Sequence, residues 1–395
     1  MKFIDEMDIK TKKLLIRVDY NVTLQDGRVA DDFRIMKSLP TLKYALERNT
    51  AVILCSHLGR PGGKKIPELS LQPTADRLSE LLQQDVAMAP DCIGPEVERL
   101  VAQLGQGQVL MLENLRFHPE EKDNDPEFSK QLADLADIYV NDAFAVAHRA
   151  HASVAGVPKN TKLCCAGLLM KKELEFLKDN LSDPDKPYIA ILGGVKVSTK
   201  LKLLRKLLDN ADQIIIGGVI ANNFLAACGH SLGKSLVEED LVKDAKEILT
   251  VSQEKRVILH LPVDVVLGQA PDCDKDYGTK DVKKIPEDKM ALDIGPESVK
   301  LFSDVLKGAA TIVWNGPMGA FENPLFRKGS SEIAGAVTGV SGALTVAGGG
   351  DTISMLKETG YMDSPGFVST GGGSFLQLLT GEELPALKAL EIDKK

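Results

Sequence analysis

The sequence predicts an α/β protein of two domains, each built on a parallel sheet. Its 395 residues exceed what one hydrophobic core usually serves, so two domains are expected. Apolar residues make up 44% of the chain and aromatic residues only 5%. Short runs of Val, Ile and Leu alternate with stretches rich in Leu, Lys, Glu and Ala. This alternation is typical of parallel strands covered by helices.

The predicted strands of the first half end at cationic or polar side chains. In chain order, the runs are LLIRV before Asp19 and Asn21, AVILC before His57 and Arg60, VLML before Asn114 and Arg116, and IYV before Asn141 and Asp142. In open parallel sheets, ligands bind outside the carboxyl ends of the strands. We therefore expect functional residues at these strand ends.

Most predicted strands of the second half end instead at paired or tripled glycines. In chain order, the runs are YIAIL before Gly193-Gly194, QIII before Gly217-Gly218, TIVW before Asn315-Gly316, LTVA before Gly348-Gly349-Gly350, and FVST before Gly371-Gly372-Gly373. The contrast between the two halves suggests that each binds a different anion.

Helical spacing occurs between the predicted strands. Val197, Leu201, Leu204 and Leu208 recur at intervals of four, three and four, which places one apolar stripe on a helix against a sheet. The best candidate boundary is the stretch 170–187, where residues 171–177 read as a helix and residues 182–187 as a loop. A helix joining two α/β domains fits this stretch.

Charge and cysteine usage narrow the class of protein. The net charge of −8 argues against a nucleic-acid partner, which would require a basic excess. No apolar run approaches the ~18 residues of a membrane span, and the first residues carry no signal-peptide pattern. The six cysteines lack C-x-x-C spacing, so neither a zinc site nor a disulfide framework is predicted. We expect a cytoplasmic protein.

Five cationic side chains of the first half form a candidate anion site. Arginine suits phosphate and carboxylate because its planar, always charged guanidinium can bind both with two hydrogen bonds. Any one of them alone would more often be a surface residue. The set comprises Arg34, His57, Arg60, Arg116 and Arg149. His148 and His151 have metal-ligand chemistry, but no further ligands lie nearby in sequence, so structural roles are favoured.

Three glycine-rich segments of the second half read as helix starts after strands. They are Gly193–Lys200, Gly348–Ser354 and Thr370–Ser374. Glycines let backbone approach a phosphate, and a helix N-terminus offers unpaired N–H donors. Lys196 and Lys200 stand four apart, so they add positive charge on one turn of the helix. The competing interpretation of the first segment is a tight turn with two solvated lysines. Asp351 could be a plain N-cap or could place Mg²⁺.

Two familiar nucleotide motifs are absent from the sequence. The segment 229–235 has three residues between its glycines where a P-loop needs four, so we interpret it as a turn. No G-x-G-x-x-G occurs, which argues against a dehydrogenase.

Taken together, the segments resemble the phosphoglycerate kinase family along essentially the whole chain. The motifs that carry the resemblance are RVDYNV at 17–22, SHLGRP at 56–61, ENLRF at 113–117, NDAF at 141–144 with HRAH at 148–151, GGVKV at 193–197, WNGPMG at 314–319, GGDT at 349–352 and STGGG at 369–373. The resemblance implies two doubly wound, Rossmann-like three-layer α/β/α domains, with parallel sheets facing each other across a cleft and a joining helix. It assigns residues 1–170 to a 3-phosphoglycerate-binding domain, residues 171–374 to a nucleotide-binding domain, and a tail, 375–395, that packs back on the first domain.

The resemblance also implies the activity and the site residues. The activity is reversible phosphoryl transfer between ATP and the carboxylate of 3-phospho-D-glycerate, in glycolysis and gluconeogenesis, by a monomer that uses Mg²⁺ and small-molecule substrates. Substrate-binding residues would be Asp19, Asn21, Arg34, His57, Arg60, Arg116 and Arg149. Nucleotide-binding residues would be Lys196, Lys200, Gly217, Gly218, Asn315, Glu322, Gly349, Gly350, Asp351 and Thr352, with Asp351 holding the metal. Catalytic residues would be Arg34, Lys196, Gly349 and Gly372.

The sequence departs from the usual family pattern at a few positions, none of which removes a charged group of the site. They are Thr23, Ala145, Thr199, Ile220 and Asn223. The alternative function is a non-catalytic, nucleotide-binding relative of the kinase, for which Ile220 and Asn223 are the only hints.

No H-R-D-type loop offers a base for an acceptor hydroxyl. A carboxylate acceptor explains this absence, because with a pKa of about 3.5 it is already ionised at neutral pH. Catalysis then reduces to positioning and charge neutralisation, and hinge closure of two domains would exclude water.

Overall fold

The computed structural model describes residues 1–363 and 365–391, which form two compact units. The first unit comprises Met1–Asp179 together with the described residues from Glu382 onward, and the second comprises Asn180–Gly381. The sequence analysis placed these boundaries at 170 and 374. These two positions fall inside the helices Leu168–Leu181 and Gly372–Leu379, and residues 392–395 of the predicted tail lie outside the described residues.

The first unit is built on a six-stranded parallel sheet in the order β5-β6-β4-β1-β7-β8, beside a two-stranded hairpin, β2-β3. The strands are β1 Lys13–Arg17, β2 Leu24–Gln25, β3 Arg28–Val29, β4 Ala51–Cys55, β5 Val86–Met88, β6 Val109–Met111, β7 Ile138–Asn141 and β8 Leu163–Ala166. β1 and β4 are almost wholly buried, as expected for central strands covered on both faces.

The helices of the first unit alternate with these strands. They are α1 Phe33–Leu46, α2 Gln72–Leu82, α3 Pro95–Gln103, α4 Glu120–Asp123, α5 Pro126–Ala133, α6 Val157–Asn160 and α7 Leu168–Leu181. α7 begins at a buried carboxylate: Asp142, which follows β7, accepts a hydrogen bond of 3.1 Å from the backbone N–H of Met170. The predicted helix at 171–177 is thus part of a longer helix.

The second unit contains a six-stranded parallel sheet in the order β11-β10-β9-β15-β16-β17 and a three-stranded antiparallel sheet in the order β13-β12-β14. The strands are β9 Tyr188–Leu192, β10 Gln213–Ile216, β11 Ile258–His260, β12 Asp264–Gly268, β13 Thr279–Asp281, β14 Met290–Ile294, β15 Thr311–Asn315, β16 Leu344–Gly348 and β17 Phe367–Ser369. All nine strands named in the sequence analysis form, and both large sheets are parallel as predicted.

The helices of the second unit include the predicted glycine-rich starts. They are α8 Val197–Leu207, α9 Gly218–Ala227, α10 Val242–Glu254, α11 Pro296–Leu306, α12 Lys328–Thr338, α13 Gly350–Glu358 and α14 Gly372–Leu379. Val197, Leu201 and Leu204 of α8 are buried, as their spacing predicts. Within the described ranges, no helix combines the length and the apolar character needed to cross a membrane.

The last described helix returns to the first unit. α15, Pro385–Leu390, packs on the helical segment Ala152–Gly156, and the N–H of Ala386 donates to the carbonyl of Ala147 at 3.1 Å. Ala389 and Leu390 are buried there. The N-terminal unit is therefore assembled from both ends of the chain.

Candidate active site

The predicted cationic residues of the first unit lie beyond the carboxyl ends of its strands. Asp19, two residues after β1, forms an ion pair with Arg34 at the start of α1. The Nδ1 atom of His57, two residues after β4, lies 3.9 Å from the other carboxylate oxygen of Asp19. Asp19 and His57 are buried, while the Arg34 side chain is 27% exposed and can meet a ligand.

The loop after β4 connects the remaining predicted residues. Gly59 donates its N–H to Asn21 Oδ1 at 2.8 Å, and its carbonyl accepts from Arg116 Nη1 at 2.7 Å. Arg60, next in the loop, is exposed, and Arg149 is partly buried. Asn21 and Arg116 therefore both contact the loop at Gly59, although 95 residues separate them in the chain (116 − 21).

Burial and neighbouring positive charges lower the pKa values of basic side chains in this unit. Burial, followed by the positive charges of Arg149 and Arg17, lowers the pKa of Arg116 to about 10. Burial, followed by the charge of Arg60, lowers the pKa of Arg149. Burial and four neighbouring arginines hold the pKa of His57 well below its ordinary 6.5, so its imidazole is neutral. The arrangement favours an incoming anion.

Sequence reasoning gave no role to a buried group behind this surface. Arg17, the last residue of β1, donates from Nε to Ser153 Oγ at 2.9 Å and lies 3.1 Å from His57 Nδ1 through Nη2. Ser153 in turn donates to the buried carboxylate of Glu121 at 2.7 Å. Because a guanidinium only donates, His57 Nδ1 must accept, and the ring proton lies on Nε2. The strand-end position of Arg17 was a usable signal, whereas Ser153 and Glu121 carried none.

The predicted residues of the second unit converge at the carboxyl edge of its parallel sheet. Lys200 Nζ donates to the carbonyl of Asn315 at 3.3 Å, and Asn315 Nδ2 donates to the carbonyl of Gly348 at 2.5 Å. Thr352 Oγ1 donates to the same carbonyl and accepts from the N–H of Gly316, both at 2.8 Å. Hydrogen bonds therefore tie α8, β15 and α13 together at one place.

Two glycines here have conformations that other residues adopt only with strain. Gly349 has φ +109°, and a Cβ on it would lie 2.8 Å from Asn315 Nδ2. Gly218 has φ +59°, and a Cβ on it would lie 2.6 Å from the backbone nitrogen of Gly194. The glycine requirement is steric as well as conformational, because neighbouring loops occupy the space.

A cavity of about 300 Å³ opens beside these loops. Its walls are mainly apolar and include Leu225, Leu292 and Phe321, while Glu322 and Asp351 supply carboxylates. Gly218 also lines it, and Gly217 immediately precedes α9. A mainly apolar cleft with few polar groups is the usual form of a small-molecule site.

The other predicted residues stand at helix starts. Lys196 is exposed and precedes α8, and Asp351 is exposed in the first turn of α13. A Cβ on Gly372, the first residue of α14, would lie 3.6 Å from Gly349 Cα and from Gly350 N. Burial lowers the pKa of Lys200 to about 8, and the charge of Asp351 opposes that shift. The three helices α8, α13 and α14 begin in the glycine-rich segments where the sequence predicts helix starts, and Lys200 lies at the carboxyl edge of the sheet.

A cationic edge on one parallel sheet and a glycine-rich edge on the other are features of an α/β phosphotransferase. Comparison with known proteins names the family. A model of the phosphoglycerate kinase family matches residues 4–382. A phosphoglycerate kinase of Maridesulfovibrio salexigens is 53% identical over 395 residues, covering 99% of each chain. One from Desulfosudis oleivorans is 50% identical over 392 residues, also covering 99% of each chain.

Solved structures agree with the sequence comparisons. Phosphoglycerate kinase from Coxiella burnetii matches with a TM-score of 0.84 at 41% identity, covering 98% of both chains. The enzyme from Pyrococcus horikoshii matches with a TM-score of 0.88 at 33% identity, covering 99% of this chain and 98% of that one. The chain belongs to the phosphoglycerate kinase family, and its two units have the Rossmann-like α/β/α architecture.

Proposed function

We propose that the N-terminal unit binds 3-phospho-D-glycerate and the C-terminal unit binds ATP or ADP, in the reversible phosphoryl transfer of the phosphoglycerate kinase family. The observation that carries this division is the pair of unlike sheet edges. One presents Arg34, Arg60, Arg116 and Arg149, and the other presents glycine-rich helix starts beside a mainly apolar cavity.

The acceptor site follows from the charges of the first unit. Arg60, Arg116 and Arg149 suit the 3-phosphate, because one guanidinium group can donate two parallel hydrogen bonds to phosphate oxygens. Neutral His57, with its proton on Nε2, would add a hydrogen-bond donor without a further charge. Asp19 and Asn21 would bind the glycerate hydroxyl and carboxylate. Asp19 would also orient Arg34, with which it forms an ion pair.

The donor site follows from the second unit. The cavity lined by Gly218 and Leu225 would take the adenine, and Glu322 at its wall would bind the ribose hydroxyls. Gly217 and Asn315 are not among the residues that line this cavity; Gly217 would shape it through the adjacent Gly218, and Asn315 through its hydrogen bond to Gly348. Lys196, Lys200 and the backbone of Gly349, Gly350 and Thr352 would bind the phosphate chain, because helix N-termini and lysines favour anions.

The residues present fit a magnesium ion. Asp351 is an exposed carboxylate in the first turn of α13, close enough to Lys200 for its charge to act on that side chain. Magnesium usually takes one or two protein carboxylates together with substrate phosphates and water. We propose that Asp351 holds Mg²⁺, which would neutralise charge on the transferring phosphoryl group.

The protein's part in the transfer is to position and neutralise charge. A carboxylate oxygen of the acceptor attacks the γ-phosphorus while the bond to the β–γ bridging oxygen breaks, so ADP leaves and no proton moves. Arg34 and Lys196 would offset the charge on the equatorial oxygens, and the N–H groups of Gly349 and Gly372 would stabilise it further.

A coupled assay tests this function directly. ADP should form from MgATP only when 3-phosphoglycerate is also present, and ATP should form from ADP and 1,3-bisphosphoglycerate. A folded chain that binds ADP yet shows neither reaction would instead support the alternative, a non-catalytic relative. We also propose that the protein acts as a monomer in the cytoplasm and has no nucleic-acid or membrane partner.

A further inference from the structure

The N-terminal unit brings together three side chains with metal-ligand chemistry that the proposed reaction does not use. Asp91 and Cys92 follow β5, and His118 follows the short helix Leu115–Phe117 after β6. β5 and β6 are neighbouring parallel strands, so their carboxyl ends deliver these residues to the same edge of the sheet. The fold thus brings His118 to Asp91, although 27 residues separate them in the chain (118 − 91).

The three ligand atoms already lie close together. The Cys92 sulfur, a His118 ring nitrogen and an Asp91 carboxylate oxygen lie within 4.8 Å of one another. His118 Nε2 is 2.6 Å from Asp91 Oδ1, and the backbone N–H of Cys92 donates to the same carboxylate oxygen at 2.7 Å. Cys92 is fully buried, whereas the side chains of His118 and Asp91 are 25% and 43% exposed. An ion can enter from solvent past these two partly exposed ligands.

The donor set selects the metal. One thiolate, one imidazole and one carboxylate suit a borderline-soft cation such as Zn²⁺, whereas Mg²⁺ prefers all-oxygen coordination. We propose that Asp91, Cys92 and His118 form a Zn²⁺ site with a water molecule as fourth ligand. The lack of C-x-x-C spacing predicts no such site, because only the fold brings His118 to the adjacent Asp91 and Cys92.

Zinc binding requires adjustments in both directions, because the three ligand atoms lie up to 4.8 Å apart and the closest recorded pair is 2.6 Å apart. Tetrahedral zinc with bonds of about 2.0–2.3 Å holds its ligand atoms about 3.3–3.6 Å apart. The Nε2–Oδ1 contact of 2.6 Å must therefore lengthen by roughly 0.7 Å, within reach of two partly exposed side chains. On binding, the Cys92 S–H bond breaks, the Zn–S bond forms, and the proton passes to buffer. Without the ion, His118 and Asp91 pair with each other beside the buried Cys92.

Neighbouring groups keep the ligands in place. The ring of His118 packs on Phe128, with centroids 5.4 Å apart, which fixes the imidazole. The backbone carbonyl of Asp91 accepts from the N–H of Glu113 at 3.3 Å, and that of Pro90 accepts from Lys65 Nζ at 2.9 Å. The charge of Lys65 acts on Asp91 and weakens attraction for a cation. Burial, followed by the negative charges of Asp91 and Glu121, raises the pKa of the Cys92 thiol, so this thiol loses its proton when the metal binds and not in its absence.

Cobalt substitution tests the site on the full chain. Co²⁺ titrated into metal-free protein should give a thiolate-to-cobalt charge-transfer band that saturates at about one equivalent, and Zn²⁺ should abolish it. Cys92→Ser should remove the band and weaken Zn²⁺ binding, measured by calorimetry, at least about 100-fold. His118→Gln changes a partly exposed residue and should keep the fold while weakening binding at least about 10-fold.

Matched controls separate this site from chance binding. Cys228→Ser removes an exposed cysteine elsewhere and should leave both the band and the affinity unchanged. Circular dichroism should show native helix content in every variant. A one-equivalent band that survives in folded Cys92→Ser, or Zn²⁺ affinity unaltered in folded His118→Gln, would overturn the assignment, as would wild-type protein without a band.

Discussion

The charge of Lys200 should set the alkaline limit of nucleotide use. Its side chain is 8% exposed, and burial lowers its pKa from 10.5 to about 8. That change corresponds to about 3 kcal/mol against the charged form, because each tenfold change in protonation is worth about 1.4 kcal/mol. About nine-tenths of the free protein carries the charge at pH 7, but only about one-tenth at pH 9.

The profile of kcat/KM for MgATP against pH reports groups of the free enzyme. If the phosphate chain needs the Lys200 ammonium, kcat/KM should fall about tenfold per pH unit above pH 8. The ordinary pKa of arginine lies about two units above that of lysine, so Lys200→Arg should move this decline to about pH 10 although burial acts on both side chains, even if its maximum is lower. Calorimetry in buffers of different ionisation enthalpy should detect uptake of nearly one proton when ATP binds at pH 9.

Lys206 provides the matched control on the same helix. It is exposed and pairs with Asp209, so Lys206→Arg should reproduce the wild-type profile. An unchanged decline near pH 8 in Lys200→Arg would refute the reasoning, because another group would then be titrating.

Three further predictions concern other parts of the two units. Arg34→Ala should lower kcat by a few orders of magnitude while the exposed control Arg28→Ala leaves it unchanged; near-normal kcat in Arg34→Ala would remove that residue from the mechanism. Gly349→Ala should lower the free energy of unfolding of the second unit by about 1–3 kcal/mol, measured in urea, whereas Gly350→Ala, where a Cβ meets open space, should not; equal effects would contradict the steric argument. Burial raises the pKa of Asp142 from 3.8 to about 6, so the unfolded state loses this proton first and the free energy of unfolding falls as pH rises from about 4 to 6. Asp142→Asn should remove about 3 kcal/mol of that decline, and urea titrations of the variant that keep the wild-type pH dependence would exclude Asp142 as its cause.

The strand ends could be predicted because two strong local signals coincide there. An apolar run followed by glycine or a cationic residue marks where a buried strand meets a ligand edge, as at Arg116 and Gly349. Two strands have sequence patterns too weak to predict a strand. β8 reads Leu-Cys-Cys-Ala and β5 has three residues, so neither offers enough period or length to recognise. The antiparallel sheet β12–β14 also went unpredicted.

Contacts between distant residues could not be predicted from patterns along the chain. Arg17 contacts Ser153 only because β1 lies beside β7 and the chain that follows β7 reaches the carboxyl end of β1. Glu121 lies in a short helix of charged residues, where a solvated face is the ordinary expectation, yet the fold buries it completely. Such pairings depend on sheet order, which local hydrophobic periods do not encode.

The return of α15 to the first unit reverses the expected order of events during synthesis. A ribosome synthesises residues 1–179 first, but the helix that covers Ala152–Gly156 follows only after the whole second unit. The second unit, continuous from Asn180 to Gly381, has all of its residues available before that point. The domain whose synthesis begins first is therefore the one whose structure is completed last, so a chain stalled near Gly381 would expose the apolar patch that Ala389 and Leu390 cover.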